Sequence, residues 1–92
     1  MTESILVAAA WPYANAEIHV GNLTGSYLPA DIFARYQRLR GRQVLMVSGS
    51  DSHGTPITVR ADAEKTSPYE VYKRHHLGFL DLFQKLCLTY DL

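Results

Sequence analysis

Two apolar runs separated by a helical stretch constrain the fold of this chain more than any other feature. Residues 5–10 (ILVAAA) are continuously apolar, which is typical of a parallel strand buried on both faces. Residues 44–47 (VLMV) form a second such run. Between about residues 19 and 40, apolar side chains recur at helical spacing, and Gly41 follows where a C-terminal cap is expected. We therefore predict a right-handed βαβ unit, the first part of a Rossmann-like, doubly wound α/β sheet.

Two further helices are predicted after the second strand. Thr55 offers an N-cap before Pro56, and residues 67–70 (SPYE) offer a capping box with proline at the first helical position. We expect the long helices to pack through apolar stripes. The first helix presents Leu28, Ile32, Tyr36 and Leu39, and the last presents Val71, His75, Phe79, Leu82 and Leu86. The predicted order is β-α-β-α-α, with His75 and His76 as packing or surface residues.

The composition limits the class of protein. The 92 residues are 47% hydrophobic and 20% charged, which suits one small globular domain. Nine basic residues balance nine acidic ones, so no overall basic field attracts nucleic acid. The single cysteine, Cys87, excludes an internal disulfide; we expect it to be buried, in a protein of the reducing cytoplasm. Neither a signal peptide, a membrane span nor a zinc-binding Cys/His cluster is predicted.

Polar loops follow both predicted strands. Residues 10–22 come after the first strand, and residues 49–54 come after the second. Because ligands bind beyond the carboxyl ends of parallel strands, we expect both loops to face one crevice. Neither the G-x-G-x-x-G nor the G-x-x-x-x-G-K-[ST] fingerprint occurs, so other polar contacts would have to hold a nucleotide.

The first loop resembles the signature of class I aminoacyl-tRNA synthetases, which reads His-x-Gly-His or His-x-Gly-Asn. The preceding PYAN narrows the resemblance to the methionine, isoleucine, leucine and valine branch. Residues 49–57 (GSDSHGTPI) resemble the methionine enzymes, whereas the isoleucine enzymes carry Gly-Trp-Asp-x-His-Gly; the closing YDL is also similar to the methionine family. The signature consists of Pro12, Tyr13, Ala14, Asn15, Ala16, Glu17, Ile18, His19, Val20, Gly21 and Asn22.

The resemblance to methionyl-tRNA synthetases implies a definite activity. It makes residues 1–92 the N-terminal part of a nucleotide-binding catalytic domain. Such enzymes activate methionine with ATP and Mg²⁺, and then transfer it to tRNA(Met). The family's Lys-rich second signature, zinc-bearing insertion and anticodon-binding domain lie outside these residues, so zinc is expected only there. We therefore expect the 92-residue chain to be inactive by itself.

The start of the first helix carries the candidate ATP-binding and catalytic residues. Activation joins a carboxylate to the α-phosphate of ATP and expels pyrophosphate, so the site must stabilise charge on phosphorus. A helix start offers unpaired N–H groups, and Gly21 lets the backbone come close to adenine and ribose. The resemblance implies that His19 contacts phosphate in the transition state and that Asn22 replaces a second histidine. His53 either faces the nucleotide or orients Asp51.

Candidate methionine-binding residues lie in the same two loops. The rings of Trp11 and Tyr13 make favourable contacts with a thioether, each worth about 0.3 to 1.5 kcal/mol. Asp51 suits the substrate's ammonium group through a charge-assisted hydrogen bond. The resemblance places Tyr13 and Asp51 in the methionine site, whereas Trp11 occupies a position where leucine is common in the family.

Simpler interpretations remain open for these residues. Taken alone, His19 and Asn22 are ordinary helix-start residues, Asp51 is an ordinary turn acid, and the two aromatics could belong to the core. For the whole chain, one alternative is another class I synthetase, such as the isoleucine enzyme. The other is a non-catalytic module that binds a nucleotide or an amino acid without turnover.

Overall fold

The computed structural model describes residues 4–92 and confirms the predicted order of elements. Strand β1 (Ser4–Ala8) pairs in parallel with β2 (Gln43–Val47), in the register Ser4↔Gln43 to Ala8↔Val47. The crossover consists of α1 (Val20–Asn22), a π-helical segment (Leu23–Tyr27) and α2 (Leu28–Leu39). Helices α3 (Thr55–Glu64) and α4 (Pro68–Lys85) follow. Residues 1–3 lie outside the described residues. They belong to the N-terminal region in which the sequence predicts no signal peptide.

Three helix ends test the capping predictions. Gly41 ends α2 at φ 81°, where its N–H donates to Arg38 O and the next N–H donates to Gln37 O, a Schellman motif. Ser67 caps α4, since its hydroxyl accepts from the N–H of Glu70 at 3.2 Å. The prediction of Thr55 as an N-cap is wrong, because Gly54 at φ 120° occupies that position and Thr55 is already helical.

The apolar core lies between the crossover, α3 and α4. Its buried members are Ala9, Ala14, Tyr27, Ile57, Ala61, Val71, Phe79, Phe83 and Leu88. The predicted stripe on α4 is right for Val71, His75 and Phe79 but wrong at its end, where Phe83 replaces Leu82 and Leu86. The reason is aromatic packing, since the Phe83 ring lies 5.4 Å from the rings of both Tyr27 and Tyr90.

Two further burial predictions are wrong. Cys87 is exposed, in a left-handed turn at φ 58° that follows the end of α4. On α2 the buried residues are Asp31, Ala34 and Gln37, whereas Ile32, Tyr36 and Leu39 are exposed. Small Ala34 allows close packing on that face. The two polar residues are buried with partners: Asp31 pairs with Arg35 at 2.8 Å, and Gln37 accepts from Arg42 at 2.9 Å.

One face of the sheet is bare, which contradicts the prediction that β1 is buried on both faces. Leu6 and Leu45 are register partners and are 65% and 47% exposed. Helix α2 covers only the opposite face, where Met46 is fully buried. Within residues 4–92, none of the helices is long and apolar enough to cross a membrane.

The bare face predicts self-association of the isolated 92-residue chain. Replacing both Leu6 and Leu45 by threonine, which retains strand propensity, should shift the chain toward monomer in sedimentation velocity. Leu77→Gln on α4 serves as the control, because Leu77 is equally accessible at 54% but lies away from the sheet. A wild-type chain that stays monomeric and unfolds cooperatively with high stability would contradict this prediction.

Candidate functional site

The loops that follow the two strands are joined by backbone hydrogen bonds, as the predicted crevice requires. The N–H of Asp51 donates to Pro12 O at 2.7 Å, and the N–H of Ala14 donates to Asp51 O at 3.1 Å. These bonds make Tyr13 and Asp51 an isolated parallel bridge beyond the ends of β1 and β2. The main chain at these two residues is therefore held by the sheet's own pairing pattern.

A reciprocal cap fixes the start of the crossover helix. The N–H of Asn22 donates to His19 Nδ1 at 3.1 Å, and the N–H of His19 donates to Asn22 Oδ1 at 3.2 Å. The imidazole thus takes the capping role usually filled by serine, threonine or aspartate. The backbone from Val20 continues as helix through the π-helical segment to Leu39.

This cap determines which atoms of the two side chains can donate to a ligand. A ring nitrogen that accepts a hydrogen bond carries no proton, so the neutral His19 ring bears its proton on Nε2. Asn22 accepts through Oδ1, which leaves the Nδ2 hydrogens as donors. The N–H groups of Val20 and Gly21 lie in the first turn, so there is no carbonyl of a preceding helical turn to which they could donate. The helix start is therefore a cluster of hydrogen-bond donors.

A cavity of about 370 Å³ lies beside this helix start. It brings together Trp11, Tyr13, His19 and Asn22 from the predicted site. Its other lining residues are Ala10, Pro12, Asn15, Ala16, Ile18, Ser26, Tyr27 and Phe79. Trp11 and Tyr13 are 63% and 52% exposed, so the interpretation of these rings as core residues is wrong.

Three predicted ligand-binding residues, Gly21, Asp51 and His53, lie outside this set, although Gly21 stands between His19 and Asn22 in the chain. Asp51 is half-buried and joins the cavity's rim through its backbone bridge to Tyr13, but its side chain is not part of the lining. His53 is exposed and lines a different cavity, of about 320 Å³, together with Ser52, Pro68, Tyr69 and Tyr72. The structure therefore brings Asp51 next to the site and His53 to a separate cavity.

Comparison with known proteins decides the family. The model for "tRNA synthetases class I (M)" matches residues 5–92. The chain belongs to this family. The methionine–tRNA ligases of Roseiflexus sp. (strain RS-1) and Thermomicrobium roseum are 61% and 55% identical to it over 92 residues. The match covers 100% of this chain but only 16% of each relative.

A solved class I synthetase structure has the same fold. Mycobacterium tuberculosis methionyl-tRNA synthetase, in complex with methionyl-adenylate, superposes with a TM-score of 0.89 at 27% identity. The match covers 100% of this chain and 18% of that one. The partial Rossmann-like sheet predicted from the sequence is therefore confirmed.

Glycines shape the candidate site at two close contacts. A Cβ on Gly49 would lie 3.1 Å from Trp11 Cε2, so this glycine lets the indole pack against the second loop. A Cβ on Gly21 would lie 3.0 Å from both Nδ1 and Cε1 of His19. Gly21 therefore makes room for the capping imidazole, a role in addition to the close backbone approach expected from the sequence.

The chain contains a matched pair of glycines that tests this role. Gly21→Ala should displace the imidazole. If His19 donates to phosphate, as the sequence resemblance implies, the change should slow amino-acid activation by the full-length protein at least tenfold, an order-of-magnitude expectation for a lost donor. Gly25→Ala is the control, since its Cβ would meet nothing within 4 Å. Steady-state kinetics of both variants provide the measurement. Equal activities of the two variants would mean that the His19 imidazole does not need the space that Gly21 leaves.

Sequence reasoning missed three residues of the cavity: Ser26, Tyr27, and Phe79, which was predicted only to pack. Ser26 and Tyr27 belong to the π-helical segment, in which the N–H of Leu28 donates to Leu23 O instead of the usual residue four positions earlier. Burial raises the pKa of Tyr27 above its ordinary value. No sequence signal marks the extra residue of a π turn, although Gly25 lies within it.

Proposed function

We propose that this chain is the N-terminal part of the catalytic domain of a methionine–tRNA ligase. Such an enzyme activates methionine with ATP to methionyl-adenylate and transfers it to tRNA(Met). One observation carries the proposal: the reciprocal cap leaves His19 Nε2 and Asn22 Nδ2 as donors at the cavity. The identity of 61% to a methionine–tRNA ligase supports the choice of amino acid.

The proposed chemistry is electrostatic. As the methionine carboxylate attacks the α-phosphate, negative charge grows on the phosphoryl oxygens and on the leaving pyrophosphate. His19 Nε2–H, Asn22 Nδ2 and the amides of Val20 and Gly21 donate to these oxygens. The cap holds these donors before substrate binds, so little reorganisation opposes the reaction.

Mg²⁺ enters this proposal as part of the ATP complex. Among the described residues that line the cavity, none carries a carboxylate, the ligand that Mg²⁺ usually takes from a protein. The ion would arrive bound to the polyphosphate and would neutralise phosphate charge. His53, in the separate cavity of about 320 Å³, is proposed as a further nucleotide contact.

Methionine is proposed to lie between the two loops. The rings of Trp11 and Tyr13 line the cavity and suit the thioether. The carboxylate of Asp51 receives the ammonium group, in a position fixed by its backbone bridge to Tyr13. The exposed Cys87 thiol and the balanced charge are consistent with a cytoplasmic enzyme, which we propose as its location.

Methionine-dependent exchange of pyrophosphate into ATP tests the proposal. Because the chain spans 16% of its relatives, the assay uses a full-length protein that carries this chain. Exchange with methionine but not with isoleucine supports the proposal, and charging of tRNA(Met) tests the second step. Exchange with isoleucine would indicate another class I synthetase. Binding of methionine or ATP without exchange would indicate a non-catalytic module.

A further inference from the structure

A hydrogen bond connects α4 to the loop that carries Asp51. His76, on α4, lies with Nδ1 2.7 Å from Ser50 Oγ. Both residues are half-buried, and both line a cavity between the loop and α4. The sequence suggested only a packing or surface role for His76, because no partner cluster lies near it along the chain.

The loop is fixed by separate contacts on its two sides. On the β1 side, Asp51 bonds through its backbone to Pro12 and Ala14, at 2.7 and 3.1 Å. On the α4 side, the preceding residue, Ser50, bonds to His76. Asp51 therefore lies directly after a residue whose side chain is tethered to a long helix. Loss of that tether would release the loop on one side only.

The ring of His76 is itself held in place. It stacks on Tyr72, one helical turn earlier, with ring centroids 5.3 Å apart and an interplanar angle of 27°. Tyr72 in turn packs against Tyr69 at 6.3 Å. A stacked ring loses little further freedom when it forms a hydrogen bond, so this contact is suited to positioning.

We propose that His76 is a positioning residue for methionine binding, which acts through Ser50 to hold Asp51 in place. This inference rests on the proposed function, because Asp51 is assigned there to the substrate's ammonium group. It assigns no substrate contact to His76 itself. The tether should affect methionine and leave ATP nearly unaffected, because the phosphate donors His19 and Asn22 lie on the other loop and His53, the further nucleotide contact proposed above, lines a separate cavity.

Two substitutions separate the hydrogen bond from the stacked ring. His76→Asn places an amide nitrogen or oxygen near the position of Nδ1 and can bond to Ser50. His76→Phe keeps the ring on Tyr72 but cannot form the bond. In the full-length enzyme, H76F should raise the KM for methionine about three- to tenfold, the range expected for one hydrogen bond, with the KM for ATP unchanged. H76N should lie within about twofold of wild type.

A control and a coupling test complete the kinetic experiment. Lys73→Ala, an exposed change on the same helix, should leave both KM values unchanged. Ser50→Ala should reproduce the effect of H76F, and the double variant should show no further increase, because both changes remove one bond. A purely structural role for His76 predicts instead a loss of stability without selective change in the KM for methionine.

A second readout does not depend on activity. Amide hydrogen exchange at Asp51 should be faster in H76F than in H76N, because the N–H of Asp51 is bonded to Pro12 O. If the wild-type protein shows no methionine-dependent exchange of pyrophosphate into ATP, the proposed function fails. Hydrogen exchange at the Asp51 amide still shows in that case whether the tether exists. If wild type is active but H76F and H76N have equal methionine KM values, the positioning role is refuted while the proposed function stands.

Discussion

Replacement of His19 by alanine should reduce the rate of methionyl-adenylate formation by the full-length enzyme roughly 100- to 1000-fold. The variant removes the Nε2–H donor and the cap that accepts from the N–H of Asn22. A donor that acts mainly in the transition state affects kcat far more than ground-state binding. Pre-steady-state adenylate formation and the dissociation constant for ATP are the two measurements, and only the first should change strongly.

His19→Asn separates the two roles of the imidazole. Asparagine is a good N-cap, so its side-chain oxygen can accept from the N–H of Asn22 and keep the helix start intact. It cannot place a donor at the position of Nε2. H19N should therefore be as slow as H19A while retaining wild-type stability. If H19N were as active as wild type, His19 would act only as a cap.

Asp51→Asn should produce the second large effect. The change keeps the shape of the side chain but removes its charge, so the KM for methionine should rise roughly tenfold to a hundredfold, as for a hydrogen bond to a charged group. ATP affinity should stay nearly unchanged. Because the Asp51 backbone bonds to Pro12 and Ala14 do not involve the side chain, the loop should keep its conformation.

Substrate analogues test the Asp51 assignment at the level of one functional group. Methioninol keeps the amino group, and a desamino analogue of methionine lacks it. Wild type should bind the first more tightly than the second, and Asp51→Asn should lose most of this preference. Asp62→Asn, at an exposed position on α3, is the charge-matched control. Equal discrimination by wild type and D51N would assign Asp51 a structural role in the turn.

The elements of the fold were predictable, but the buried face of α2 was not. Apolar runs and capping residues such as Gly41 and Ser67 are local signals, and the structure agrees with them. Whether a side chain is buried depends on which other elements of the fold pack against it. Asp31 is buried and pairs with Arg35, whereas Ile32 is 64% exposed. Periodicity records which side chains are apolar and carries no information about these partners.

The candidate site was predictable to a similar extent. The signature motif indicated His19 and Asn22, and the rule for strand ends brought Tyr13 and Asp51 to one edge. The reciprocal cap between His19 and Asn22 depends on side-chain geometry that spacing alone leaves open. The bond from Ser50 to His76 joins residues 26 positions apart, and the sequence contains no local signal for it.

A crystal structure of the full-length protein with methionyl-adenylate tests the central claim most directly. The claim is that the cap on the crossover helix holds His19 and Asn22 as donors for phosphate. We expect His19 Nε2 and Asn22 Nδ2 to lie about 3 Å from phosphate oxygens, with the cap unbroken. An adenylate phosphate bound away from this helix start, or an imidazole rotated so that Nδ1 no longer accepts from Asn22, would contradict the claim.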